Sequence, residues 1–386
     1  MTEGTMRCEL EVGAGGDRAG RPTEWSRRSW LASAAAGLGG TVGWTSAWAN
    51  ASKADFTRAA DYSAARGGAG VLVWQDGRTV FERYDNGWTP DRAVHVQSAT
   101  KSFWGICLLA MIEDGLVASL DELAAVTLTE WAGDPQRSRI TLRMLLDLSS
   151  GLKEDIPALQ GNMRRTTWAR DKYAHAVTLP SATPPGSVFR YGPSHYYALG
   201  ETMKRKLSRR RQSPLDYLKA RVLDPIGCRY ADWVLDDAGN PHIPNGCFIT
   251  PREWLKYGQF MLGRGLNVGR APLTAAQLRP AIAPSAVNPG MGLSWWLNKP
   301  NGMGSSPAMR APPGRPGGFI NYDGPLDMYA ALGAGRNGLY VVPSRRTIVI
   351  RQCSLEDLPA ADQERMRGPD RAFRDDAFLE LLFAAL

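Results

Sequence analysis

The chain has 386 residues, 44% of them hydrophobic, which is enough to bury a large core in one big domain or two ordinary ones. Charged residues at 22% and aromatic residues at 9% are globular proportions and exclude bulk disorder. The net charge of +8 is mildly basic, but its densest run, "KRKLSRRRQ" (Lys204 to Gln212), has no interleaved aromatic residues. That composition argues against nucleic acid and for a solvated helix end, where cations suit the dipole.

The first fifty residues read as an address. "SRRSWL" (Ser26 to Leu31) is a twin-arginine pattern, followed by the weakly apolar "LASAAAGLGGTVG" and a small-x-small site at Ala47-Trp48-Ala49. The apolar run is too short and too Gly-rich to span a bilayer. Residues 1–49 are therefore expected to be a twin-arginine signal peptide. Residues 50–386 would form the mature domain, periplasmic or secreted, without an integral membrane segment. Cys8 precedes the cleavage point, leaving Cys107, Cys228, Cys247 and Cys353, which are scattered without CxxC spacing. This export route carries proteins already folded in a reducing cytosol, so free buried thiols are expected and a structural zinc site is not.

After the leader, "GGAGVLVWQDGRTVFERYDNG" predicts a hairpin turning at Asp76-Gly77. A helix opening at Ser98 follows, whose apolar positions (Phe103, Trp104, Ile106, Cys107, Leu108, Leu109, Met111, Ile112) go nearly all round it. Such a helix is central and buried, and Gly115 ends it. The middle of the chain is mostly helical. "ITLRMLLDLSSGL" (Ile140 to Leu152) predicts one helix, and "SPLDYLKARVLDPIG" another, with Ser213 as N-cap and a stop at Asp224-Pro225. Thr250 with Glu253, and Thr274 with Gln277, have capping-box spacing. Near the end, "GLYVVPSRRTIVIRQ" predicts two strands around Pro343-Ser344, and "DRAFRDDAFLELLFAAL" a closing amphipathic helix. The expected class is α+β: an antiparallel sheet built from both termini and flanked by helices, with a large all-helical insertion at about 116–290.

One charge in this pattern is out of place. Lys101 is the only charged residue between Ser98 and Glu113, at the mouth of the apolar helix. At i and i+3 on a helix, Ser98 and Lys101 share a face. A serine hydroxyl is a poor nucleophile until a neighbour takes its proton. Desolvation disfavours an ammonium, and an uncharged amine beside a hydroxyl is a general base. Rival chemistries find less support. A Ser-His-Asp reading has only His95, His175, His195 and His242 to draw on, and "GPSHY" lacks the closing glycine of a nucleophile elbow. Metal hydrolysis has no HExxH.

The pair stands in ordered company. "DGRTVFERY", "VQSATKSF", "ITLRMLLDLSSGL", "PPGSVFRYGPSHYYALG", "GCFITPREWLKYGQFML", "MGLSWWL" and "GAGRNGLYVVPSRRTIVI" follow one another over nearly the whole mature chain. In that order and spacing they resemble the serine β-lactamase and penicillin-binding-protein superfamily. The likeness is to its class C-like branch, which includes esterases, DD-peptidases and 6-aminohexanoate-dimer hydrolases. The resemblance implies that Ser98 is the nucleophile, Lys101 the base and Tyr191 the hydroxyl that shuttles protons to the leaving group. It implies an oxyanion hole formed by the Ser98 N–H and the strand near Gly333 and Ala334. No cofactor and no metal are implied.

Two departures bear on the substrate. The tyrosine box of the family reads Tyr-x-Asn, whereas here it is Tyr191-Gly192-Pro193, with Ser194 the next polar group. The third box reads Lys-Thr-Gly or His-x-Gly in the family, and here Ala331-Leu332-Gly333. Loss of the cation that holds a carboxylate points away from β-lactams and peptidoglycan stems. Arg336 is close enough in sequence to replace it, although a solvated loop arginine is the simpler expectation. The combination favours a serine hydrolase of esters or small amides. A class C-type β-lactamase or DD-peptidase, and a catalytically weak peptidoglycan- or partner-binding relative, remain as alternatives.

Overall fold

A computed structural model describes residues 56–160, 168–263, 271–300, 319–354, 357, 373–384 and 386. The leader expected over residues 1–49 and the Gly/Pro-rich "SSPAMRAPPGRPGG" lie outside them.

Strands β1 (Gly70–Gln75) and β2 (Arg78–Tyr84) form the expected hairpin. Its two turn residues, Asp76 and Gly77, both take positive φ, as a two-residue turn between twisted strands requires. A small sheet joins β3 (Val94–His95), β4 (Asp232–Trp233) and β5 (Cys247–Ile249) in the order β3-β5-β4. The large sheet adds β6 (Trp296–Leu297), β7 (Tyr329–Gly333), β8 (Asn337–Val342) and β9 (Thr347–Gln352) to the hairpin. Its order is β2-β1-β9-β8-β7-β6, with every neighbouring pair antiparallel. Gly70 faces Gln352 and Gln75 faces Thr347, so the two ends of the chain meet as neighbouring strands.

Among the described residues, the α-helices that follow the hairpin are, in chain order, α1 (Ser102–Glu113), α2 (Leu142–Leu146), α3 (Ile156–Gln160), α4 (Lys172–Thr178) and α5 (Ser194–Leu207). Next come α6 (Pro214–Leu218), α7 (Pro251–Met261), α8 (Ala275–Leu278) and α9 (Asp375–Phe383). Helices cover both faces of the large sheet. Gly258 of α7 comes so close that an added Cβ would sit 2.9 Å from Leu339 and 3.0 Å from Ile348. The next side chain along β8, Tyr340, points the opposite way, where its hydroxyl binds Asp375 and its ring lies 6.4 Å from that of Phe378 on α9. Burial on both sides explains why β8 and β9 read as unbroken apolar runs rather than alternating ones. Cys107, Cys228, Cys247 and Cys353 are free buried thiols, and burial pushes those of Cys107, Cys228 and Cys247 up.

The structure corrects several local expectations. The α-helix opens at Ser102, and Ser98 sits in a preceding 3-10 turn, Gln97–Lys101. "ITLRMLLDLSSGL" keeps only α2, because Leu148 turns left-handed (φ 64°) and ends the helix. The second helical stretch is α6, a π turn (Lys219–Leu223) and a 3-10 turn (Asp224–Ile226) in succession. The insertion is not all-helical, since β4 and β5 fall within it and tie it to β3. Thr250 accepts from Glu253 N, but the Glu253 carboxylate turns to Arg229 N and Lys256, so that box is half made. Thr274 and Gln277 form a complete one. The basic run is not simply solvated either. Lys204 binds Asn240, Arg205 binds Glu130 and Glu201, Lys206 binds Glu122, and Arg210 lies 3.7 Å from Asp114.

Candidate active site

Residues 96–101 carry the serine. Val96 N donates to Cys247 O (3.0 Å) and Cys247 N donates to Thr100 Oγ1 (3.1 Å), so β5 pins the segment on both sides of Ser98. Gln97 is held at φ 53°, a left-handed conformation that non-glycine residues rarely adopt, immediately before the serine. A 3-10 turn has three residues per turn, so side chains at i and i+3 eclipse. Lys101 therefore lies directly over Ser98, with its Nζ 3.1 Å from Ser98 Oγ. A second bond, 3.0 Å to Pro244 O, fixes the amine from the other side. Lys101 is 3% exposed. It is a buried amine held between an alcohol and a carbonyl.

Two tyrosines close around it. Lys101 Nζ is 4.9 Å from the ring centroid of Tyr191 and 5.4 Å from that of Tyr196. Tyr191 is partly exposed and stacks on Trp296 of β6, centroids 5.7 Å apart. Tyr196 is fully buried, its hydroxyl 2.7 Å from Ser294 Oγ and 3.1 Å from Leu146 O. Ser98 and Tyr191 thus both lie against Lys101, although Tyr191 comes much later in the chain. Tyr196 and Trp296 are neighbours the sequence did not single out.

On the opposite side, the end of β7 runs against the serine turn. A Cβ placed on Gly333 would collide with Val96 O and lie 3.0 Å from Ala99 N and 3.2 Å from Ser98 N. Asn337, fully buried, donates to Ala334 O (2.8 Å) and Cys353 O (2.9 Å), and Arg351 donates to Gly335 O and Arg336 O. These bonds hold the chain just beyond Gly333 in place. Gly333→Ala is expected to cost about 1–3 kcal/mol of stability through overpacking and roughly 10- to 100-fold in ester turnover through displacement of the serine turn. Thermal unfolding and an ester assay check the two parts separately, and unchanged turnover would show that this contact does not set the geometry.

The groups considered as replacements for the altered boxes are engaged elsewhere. Arg336 is not a solvated loop arginine: its guanidinium lies 3.2 Å from the Asp375 carboxylate of α9. Ala331 is 1% exposed on β7. Ser194 donates to Glu154 Oε2 at 2.9 Å. His195 is fully buried between Ser150 (2.7 Å) and Arg190 O (2.9 Å), away from Ser98 Oγ as a hydrogen-bond partner. A second buried lysine, Lys172, marks the contrast with Lys101. Its Nζ packs 3.6 Å from the Trp168 ring centroid and donates to Ala158 O, with no hydroxyl partner among the described residues, and burial pulls its pKa down to about 8. Among the described residues, no three His, Cys, Asp or Glu side chains gather as a metal site would need. No helix among them is long and apolar enough to cross a membrane.

The fold is shared with solved hydrolases at low sequence identity. A β-lactamase candidate from Bacteroides dorei is 16% identical with a TM-score of 0.65, over 87% of this chain and 98% of that one. The D-alanine carboxypeptidase AmpC from Burkholderia cenocepacia is 16% identical with a TM-score of 0.60, over 88% of this chain and 100% of that one. A 6-aminohexanoate-dimer hydrolase candidate from Bacillus anthracis is 18% identical with a TM-score of 0.58, over 78% of this chain and 77% of that one. No curated protein matches the sequence. The Beta-lactamase family model, by contrast, matches residues 53–367, from before the first strand to beyond the last. With the antiparallel sheet, the helical region and the serine turn all inside that span, the chain belongs to the Beta-lactamase family of hydrolases.

Proposed function

We propose that the chain is a serine hydrolase cleaving carboxylic esters or small amides through a Ser98 acyl-enzyme. The observation that carries this reading is the 3.1 Å contact of Lys101 Nζ with Ser98 Oγ, completed by the Pro244 carbonyl. Lys101, in its amine form, takes the Ser98 proton as Oγ attacks the carbonyl carbon. The oxyanion so formed lies between the Ser98 N–H and the chain at Gly333 and Ala334. As the C–O or C–N bond breaks, the proton passes by way of Tyr191 to the departing alcohol or amine. Water then attacks the acyl carbon, loses its proton to the same relay and frees Ser98.

The surroundings favour an uncharged acyl group. Position 331 offers a buried methyl group in place of a cation, and Arg336 is held by Asp375. Pro193 offers no side-chain amide, and the stacked Tyr191 and Trp296 present an aromatic wall. A side-by-side assay tests the preference. Hydrolysis of a short-chain acyl ester is expected to outpace that of a chromogenic cephalosporin in kcat/KM. Faster cephalosporin turnover would overturn the ester reading in favour of a β-lactamase. An acyl adduct that forms and never turns over would favour a binding relative.

A further inference from the structure

Glu154, largely buried, and His195, fully buried, are titratable groups that the chemistry above does not use, with side chains 11% and 0% exposed. Their contacts converge on one short segment. Glu154 Oε2 accepts from Ser194 N (3.1 Å) and Ser194 Oγ (2.9 Å), at the first turn of α5. Glu154 Oε1 lies 3.0 Å from His195 Nε2, which is also 2.9 Å from Arg190 O. The Arg190 carbonyl bonded at Nε2 assigns the ring proton there, with Glu154 Oε1 close by but not hydrogen-bonded, and Nδ1 is left to accept from Ser150 Oγ at 2.7 Å. Gly192 lies against the same carboxylate, so that a Cβ at that position would overlap it. Arg190, Gly192, Ser194 and His195 are thus all tied to this pair. The residue they surround is Tyr191.

We propose that Glu154 and His195 form a clamp that positions Tyr191 for proton transfer to the leaving group; this rests on the shuttle role assigned to Tyr191 above. Tyr191 belongs to neither a strand nor a helix, so no backbone ladder places it. Tyr191 is 37% exposed, and its ring stacks on Trp296, a contact that does not by itself fix where the hydroxyl lies along the ring plane. Proton transfer needs heavy atoms within hydrogen-bond reach, and only a fixed backbone on both sides of residue 191 supplies that. Glu154 suits the task because a carboxylate is favoured at a helix N-terminus and accepts N–H groups without competing donors. Ser150, His195 and Glu154 share residue types with a hydrolytic triad but do not form one. Ser150 is fully buried, and its Oγ accepts from Leu152 N at 3.3 Å. Both are positioning residues.

The leaving group supplies the test. An alkoxide must be protonated as it departs, whereas p-nitrophenolate leaves without a proton. In Glu154→Gln the side-chain shape is kept, but the negative charge is lost and the amide NH₂ must face either the Ser194 donors or the nearby His195 Nε2–H. For that variant kcat/KM on an ethyl ester is expected to fall about tenfold or more, with a much smaller loss on the p-nitrophenyl ester of the same acid. Melting temperature and the rate of fluorophosphonate labelling of Ser98 report whether the fold and nucleophile are intact, and His195→Gln serves as the second variant should Glu154→Gln misfold. Combining either change with Tyr191→Phe is expected to cost no more than Tyr191→Phe alone, because residues acting through one another are non-additive. Equal losses on both esters, or losses that multiply in the double variant, would overturn the clamp. If Tyr191→Phe itself hydrolyses the ethyl ester as fast as the unaltered enzyme, the shuttle role falls, and that outcome is read from the single variant before the clamp is considered.

Discussion

Replacing Ser98 with alanine is expected to remove ester hydrolysis almost entirely, since loss of a covalent nucleophile costs on the order of 10⁶-fold in turnover. The fold should survive the change. Ser98 is only partly buried, and among the described contacts its hydroxyl is bonded to Lys101 alone. Treatment of the unaltered protein with a fluorophosphonate, followed by peptide mass analysis, is expected to place one adduct on Ser98 and none on the Ser98→Ala protein. Hydrolysis of p-nitrophenyl esters by Ser98→Ala at the unaltered rate would end the acyl-enzyme account. The prediction carries weight because the chain also has the buried Ser150–His195 contact, and an adduct on Ser150 would transfer the chemistry to a different mechanism altogether.

The second large effect concerns Lys101. Lys101→Ala is expected to lower turnover at neutral pH by about 10²–10⁴-fold, the usual contribution of a positioned general base. Truncation also leaves the Pro244 carbonyl without its donor, which costs about 1–3 kcal/mol of stability. A second substitution separates base from brace. Lys101→Arg keeps an N–H donor for Pro244 O, but a guanidinium does not give up its proton in a protein and so cannot take one from serine. Both variants are therefore expected to be slow. Recovery of activity in Lys101→Arg, or a loss of only a few-fold in Lys101→Ala, would make Lys101 a structural group.

The SxxK pair was legible from spacing even though the local structure was misread. The sequence suggested an α-helix opening at Ser98, whereas the serine sits in a 3-10 turn. Residues at i and i+3 meet in either geometry, so the inference about their contact did not depend on the choice. The hairpin, the final strands and the use of both termini in one sheet were legible for a related reason. Asp76-Gly77 and the apolar runs of β1, β8 and β9 are signals carried within a few residues.

The surroundings of the pair were not legible. Ser150 and His195 are 45 residues apart, Ser194 and Glu154 are 40 apart, and Lys101 and Pro244 are 143 apart. His195 stood out only as one of four histidines, because nothing near it in the chain explains a buried imidazole. Arg336 read as solvated for the same reason, its carboxylate partner arriving from α9 after the last strand.

By itself the sequence determined the class of fold, the building of one sheet from both ends of the chain and the presence of an alcohol and an amine one turn apart, because each of these depends on short-range pattern. Only the tertiary structure decided which carbonyl holds the amine, which aromatic rings stand near it and which buried groups bond the segment around Tyr191. Those contacts join segments whose separation in the chain carries no signal, and they exist because burial of the sheet and helices brings them together.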